Sequence, residues 1–196
     1  MMKFSIPALR KILILLASTS VCLSSISVKA SEFDPSWSLN FSIEPKATRI
    51  SNRLVSEVNP ELTHIELLSC DNKTLSKQQC QQIQNSAGQL TMLVDANHDG
   101  VFERWSIAVG KLKDGKYAKV LLVQDESSGR ILQALLVESP NAGFSALYFQ
   151  QGKILWGMCL SCDVLADIVW DEGAYSVSWQ PSFHTQEPEE LLVDNG

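Results

Sequence analysis

From Gln89 onward the chain alternates apolar runs of strand length with short polar turns. The turns fall at Asp95–Gly100, Lys113-Asp114-Gly115, Asp125–Gly129, Pro140–Gly143, Gln151-Gly152 and Asp171-Glu172-Gly173. The runs between them are rich in Val, Ile, Leu, Trp and Tyr, which suit a pleated, half-buried surface. Short strands separated by regular turn signals predict an antiparallel meander. Val120–Val123 and Leu135–Val137 are apolar on both faces, so those strands need cover on both sides, from a second sheet or from N-terminal helices. The fold class expected is therefore mainly β with a minor α component: an antiparallel meander forming a sandwich or a barrel-like layer, with one or two short N-terminal helices.

Upstream the pattern changes. Trp37, Leu39, Phe41 and Ile43 alternate with polar residues and predict a first strand, ended by Pro45. Ile50, Leu54, Val55 and Val58 recur at helical spacing, and Pro60 closes that helix. Ile65 and Leu67 predict a strand running into Cys70. Ser76-Lys77-Gln78-Gln79 is a capping box, with Ser76 as N-cap, and predicts a short helix to about Asn85 with Cys80 and Ile83 facing inward.

The first 30 residues carry a different message. Lys3, Arg10 and Lys11 precede the apolar run Ile12–Ala17, and Val28-Lys29-Ala30 ends in the small residues of a cleavage site. This is the layout of a secretory signal peptide cut after Ala30, with an apolar core too short for a good membrane span. Val21 before Cys22 departs from the small residue that a lipoprotein signal wants, so no membrane anchor is expected after cleavage. The domain reading is residues 1–30 as signal peptide, 31–180 as a single β-rich domain and 181–196 as an acidic, disordered tail. The protein is expected to be periplasmic or secreted. Cleavage removes four basic residues and no acidic one, which takes the formal charge from −6 to −10. Such a chain repels nucleic acid and anionic lipid, and cations are its natural small partners.

Cys70, Cys80, Cys159 and Cys162 remain after cleavage. An even count in an exported chain points to disulfides, with three pairings possible. Cys70–Cys80 closes a short local loop, which leaves Cys159-Leu160-Ser161-Cys162 as the second pair. A C-x-x-C can also be redox-active where a helix N-terminus lowers the thiol pKa, and Trp156 upstream is faintly similar to the Trp before that motif in thioredoxin-like proteins. No βαβ unit surrounds it here. A four-thiolate zinc site would need Cys70 and Cys80 to meet the C-x-x-C across an unusually wide spacing. Asp163 stands where haem attachment requires His.

The densest oxygen chemistry lies in Asp95-Ala96-Asn97-His98-Asp99-Gly100-Val101-Phe102-Glu103. Its pattern resembles the D-x-[DN]-x-D-G calcium loops of EF-hands, dockerins and integrin-type FG-GAP repeats, over these nine residues alone. The resemblance implies side-chain oxygens from Asp95, Asn97 and Asp99, the backbone carbonyl of Val101, and Glu103 as a further ligand to a structural Ca2+, with Gly100 permitting the bend. An EF-hand wants Glu at its twelfth position, where this chain has Ser106, and helices on both sides. FG-GAP loops close with an acid at the ninth position inside a strand–loop–strand, which Glu103 fits, although those modules repeat and this one does not. The competing reading is a hairpin loop whose Asn and Asp accept backbone hydrogen bonds. His98 should point to solvent.

No G-x-S-x-G, H-E-x-x-H, Walker or G-x-G-x-x-G motif occurs, and His64, His98 and His184 assemble no Ser/His/Asp set. Trp105, Trp156, Trp170 and Trp179 line either the core or a ligand groove. The function expected is an exported, non-catalytic binding or accessory domain, disulfide-clipped and stabilised by Ca2+ at Asp95–Glu103. Its partner would be a protein or small ligand of the cell envelope. The alternatives are a periplasmic thiol–disulfide oxidoreductase using Cys159 and Cys162, and a hydrolase with an unrecognised acid pair.

Overall fold

Alternation along two central strands sorts their side chains into two separate cores. A computed structural model describes residues 34, 36–71, 74–160 and 164–179. In chain order the elements are α1 (Trp37–Asn40), β1 (Arg49–Ile50), β2 (Arg53–Leu54), α2 (Val55–Val58), β3 (Leu62–Leu67), α3 (Lys77–Asn85) and β4 (Thr91–Val94). They continue with β5 (Glu103–Leu112), β6 (Tyr117–Asp125), β7 (Ile131–Ser139), β8 (Ala146–Gln150), β9 (Lys153–Gly157), β10 (Leu165–Asp171) and β11 (Ala174–Trp179). The protein is mainly β, with antiparallel sheets and short helices in its first half. Among the described residues no helix is long and apolar enough to cross a membrane. The expected signal segment (1–30) and the expected acidic tail (181–196) lie outside the described residues.

The first sheet runs β3-β5-β6-β7, with β4 beside β3 on the same flank of β5; the second runs β8-β9-β10-β11. Trp105, Ile107 and Val109 of β5, with Leu121 and Val123 of β6, enter the core between the sheets, against Trp156 and its neighbours. Ala108, Leu112, Val120 and Leu122 point the other way, beside Ile65 of β3, and Ile50 of β1 and Val55 of α2 cluster with them there. Both covers foreseen for the doubly apolar strands are therefore present, one on each face. The sheets meet at both edges. Gln133 accepts from the Tyr175 N–H at 2.8 Å and donates to the Tyr175 carbonyl at 2.7 Å, joining β7 to β11. Gln89 and Leu147 exchange backbone bonds of 2.8 Å at the opposite edge. The result is a sandwich drawn together at its edges.

The capping box forms as expected: Gln79 N–H donates to Ser76 Oγ, and Ser76 N–H to Gln79 Oε1. Cys80 on α3 is bonded to Cys70 with the Cα atoms 5.9 Å apart. Two upstream expectations are corrected. Trp37–Ile43 is no strand: α1 starts at Trp37 and ends before its extended C-cap Phe41, which brings the two rings together, with centroids 5.9 Å from each other and 4.9 and 6.1 Å from Phe144, and leaves Leu39 exposed. Helical i, i+4 spacing won over alternation because both rings had one aromatic partner to reach. The helix expected from Ile50 to Val58 survives only as α2. Ser51 and Asn52 take φ of 48° and 63° and fold β1 onto β2, as a two-residue turn with both central residues left-handed does. Pro140–Gly143 also differs from a hairpin turn, since it carries the chain from the first sheet to the second.

Lys119 on β6 reaches toward the inter-sheet core. Lys119 Nζ donates to the carbonyls of Phe144 (2.9 Å) and Met158, and burial lowers its pKa to about 8. A lysine whose folded pKa lies below its unfolded value binds fewer protons when folded, so stability rises with pH through the window from about 8 to 10.5. Urea unfolding of the wild type and Lys119→Met between pH 7 and 10 should show that rise, up to about 3 kcal/mol, missing from the variant. Equal slopes for both proteins would show that Lys119 is charged and solvated in the folded state.

Candidate functional site

The loop between β4 and β5 is held by its own acidic side chains. Asp95 accepts from Asp99 N–H through Oδ1 (3.1 Å) and from Gly100 N–H through Oδ2 (3.0 Å). Asn97 Oδ1 also accepts from Asp99 N–H at 3.1 Å, and Asp99 Oδ1 from Val101 N–H at 2.7 Å. Asn97 Nδ2 donates to Asp99 Oδ2 at 2.9 Å. His98 and Gly100 take φ of 60° and 86°, which gives the loop its tight path, and the His98 side chain is exposed. Val101 is exposed as well.

Glu103 behaves differently from the other acids. It opens β5 only 2% exposed, and its Oε2 accepts from Ala96 N–H at 3.2 Å. Burial pushes its carboxyl pKa up, and the charges of Asp99 and Asp95 push the same way, against the Ala96 bond and the neighbouring Tyr175 hydroxyl. The Tyr175 hydroxyl stands beside it without reaching hydrogen-bonding geometry, and burial plus the neighbouring carboxylate push that phenol far up. No lysine or arginine pairs with Glu103 among the described residues. The donor set of carboxylates and an amide carbonyl suits a hard cation. In the conformation described, the oxygens accept from the loop's own N–H groups, backbone and Asn97 side chain, and no three of the described His, Cys, Asp and Glu side chains stand close enough together to hold a metal.

Beside this loop opens a cleft of about 650 Å³. One wall is Val94–His98; the other comes from the β8–β9 hairpin and from β10, and presents Phe149, Lys153, Ile154, Asp167 and Trp170. Phe149 and Trp170 are 56% and 40% exposed, and Lys153 Nζ lies 3.7 Å from Asp167. Trp170 leans on Tyr175 with ring centroids 4.6 Å apart, and Tyr175 meets Trp105 edge-on at 4.8 Å. An aromatic ladder thus runs from the cleft to the core behind Glu103. Of the four tryptophans considered for a groove, Trp170 lines the cleft and Trp179 is half-exposed elsewhere. Trp105 and Trp156 are fully buried. Phe149, Lys153 and Asp167 gave no signal in the sequence, because only the packing of the second sheet brings them to Asp95.

The cysteines lie elsewhere. Cys159 is disulfide-bonded and 5% exposed, in the connection from β9 to β10, where the adjacent Leu160 N–H donates to Ser38 Oγ at 3.2 Å. Cys162 lies outside the described residues. His64 lies on β3, where its Nδ1 is 3.1 Å from Thr63 Oγ1, away from the loop that carries His98. The chain matches no protein-family model, no curated protein and no solved structure.

Proposed function

We propose that the protein is an exported, non-catalytic binding domain of the cell envelope. Its ligand lies in the cleft between the Asp95–Glu103 loop and β8–β10, and a structural Ca2+ on the loop steadies one wall. The observation that carries the reading is the cleft itself: it is roomy, polar on one wall, and floored by two aromatic rings left open to solvent. Concave sites with exposed aromatics and a few polar groups are where small or extended ligands gain most from burial. The calcium component rests on the donor chemistry. Each oxygen of Asp95, Asn97 and Asp99 in the loop carries one N–H and keeps a lone pair. Asp95, Asn97 and Asp99, the Val101 carbonyl and Glu103 would hold the ion, which would neutralise the buried Glu103 charge.

The thiol–disulfide alternative draws less support. A redox cysteine needs access and a lowered pKa, whereas Cys159 is buried and already bonded.

The test is a ligand panel of peptides, oligosaccharides and lipids, read by thermal unfolding of the wild type and of Phe149→Ala/Trp170→Ala. Both side chains are exposed, so the double variant should fold. At least one class should raise the wild-type midpoint by several degrees and leave the variant unmoved. A panel with no shift, or a shift that the variant keeps, contradicts the cleft as the ligand site.

A further inference from the structure

The rim of the cleft carries unused backbone. Among the described residues β4 pairs with β5 alone. The Ile107 N–H donates to the Leu90 carbonyl at 2.9 Å, so the bonded pairs of this antiparallel ladder are Leu90 with Ile107, Met92 with Trp105 and Val94 with Glu103. The N–H and C=O groups of Thr91 and Leu93 therefore turn away from β5, and they carry no backbone partner among the described residues. β8 ends the second sheet in the same manner. Leu147 uses its outward groups on Gln89, and alternation turns those of Phe149 outward too. Gln89 with Leu147 is the one pair joining the two edges among the described residues. Beyond it a groove of about 260 Å³ runs along Met92–Val94 and Phe149, and it shares Val94 and Phe149 with the larger cleft.

Exposed edges in natural sheets are normally blunted by Lys, Pro or a bulge. Thr91-Met92-Leu93-Val94 has none of these, and Leu93 stands 53% exposed beside Phe149 at 56%. We infer that this groove takes an extended peptide segment as an added strand on β4, with apolar side chains at alternate positions against Leu93 and Phe149. The inference rests on the binding reading above and narrows it to one ligand class. A row of main-chain donors and acceptors is matched by another main chain, whose groups repeat at strand spacing. Charge sets the polarity of the partner. The cleft at the end of β4 is bounded by Asp95 and Asp167 against Lys153; the three carboxylates of the loop outnumber the two charges of a bound calcium ion, and the chain carries a net charge of −6. The inserted segment therefore carries lysine or arginine at the end that reaches the loop.

The test uses the full chain and a capped peptide of alternating valine and threonine ending in two lysines. A second copy of the peptide is N-methylated at the alternate amides that would face β4. The parent peptide should shift the amide resonances of Thr91, Leu93 and Phe149 and slow their hydrogen exchange. N-methylation should weaken binding at least tenfold, and Phe149→Ala, a change at an exposed side chain, should weaken it similarly. Equal affinity for the two peptides overturns the inference, as does no binding at millimolar peptide. Concentration-dependent dimerisation that protects the same amides without peptide also overturns it, by making a second copy of the chain the occupant. An oligosaccharide that shifts Trp170 while the peptide does not overturns it too, yet leaves the binding reading standing. A panel on which every class is silent removes both.

Discussion

Trp105→Ala is expected to destabilise the protein by about 3–5 kcal/mol, the cost of emptying a fully buried indole site. The ring is 0% exposed, lies between the sheets and meets Tyr175 edge-on at 4.8 Å. At roughly 2–4 °C per kcal/mol for a domain of this size, the midpoint should fall by about 6–20 °C. Trp105→Phe separates the contributions. The indole N–H finds no acceptor among the described residues, so phenylalanine removes an unsatisfied donor together with some contact area. Its cost should be less than half that of alanine in urea unfolding. A phenylalanine variant as damaged as the alanine one would mean that the N–H is bonded after all. Because Trp105 backs Tyr175, and Tyr175 backs both Trp170 and Glu103, the alanine variant should also lose ligand binding in the cleft at temperatures where it is still folded.

Glu103→Gln should act with opposite signs in chelator and in calcium. Without metal the buried carboxylate suffers desolvation and the repulsion of Asp99 and Asp95, so a neutral amide should stabilise the fold by about 1 kcal/mol. The pH dependence follows from the same shift. A carboxyl whose folded pKa is raised contributes most below its ordinary value of 4.5 and loses that contribution as pH climbs through the raised one. In chelator, the wild type should lose stability through that window relative to the variant. With calcium at a hundred times its dissociation constant, the wild type should gain about 2.7 kcal/mol, and the variant, lacking a charged ligand, much less. The ranking of the two proteins should therefore invert between chelator and calcium. A variant less stable than the wild type in both conditions would show that Glu103 is held by hydrogen bonds alone.

The parts of the fold that were legible in the sequence are those set by local rules. Ser76 and Gln79 announce α3, and the turn residues after β4, β5, β6, β8 and β10 delimit the hairpins. The double-sided apolar character of Val120–Val123 foretells two cores. What stayed hidden depends on contacts distant in sequence. Trp37 and Phe41 look like alternating strand residues until Phe144 supplies a common partner. Ser51-Asn52 breaks a helical pattern because both residues accept left-handed φ, a turn signal weaker than glycine. The Asp95–Glu103 loop could be found by eye, but its role as one wall of a cleft could not. That role depends on the second sheet placing Phe149 and Trp170 across from it, and on the Gln133 and Gln89 contacts that fix where the two sheets meet.

The measurement closest to the central claim is a calcium titration of the folded chain, followed by amide and indole resonances and by the thermal midpoint. The account predicts saturable shifts at Asn97, His98 and Gly100 together with the Trp170 indole, and a midpoint several degrees higher in calcium than in chelator. Asp99→Ala should remove both effects. Unmoved loop resonances at ten-millimolar calcium, with equal midpoints in calcium and chelator, would contradict an ion-steadied wall and reduce Asp95–Glu103 to a self-bonded hairpin turn.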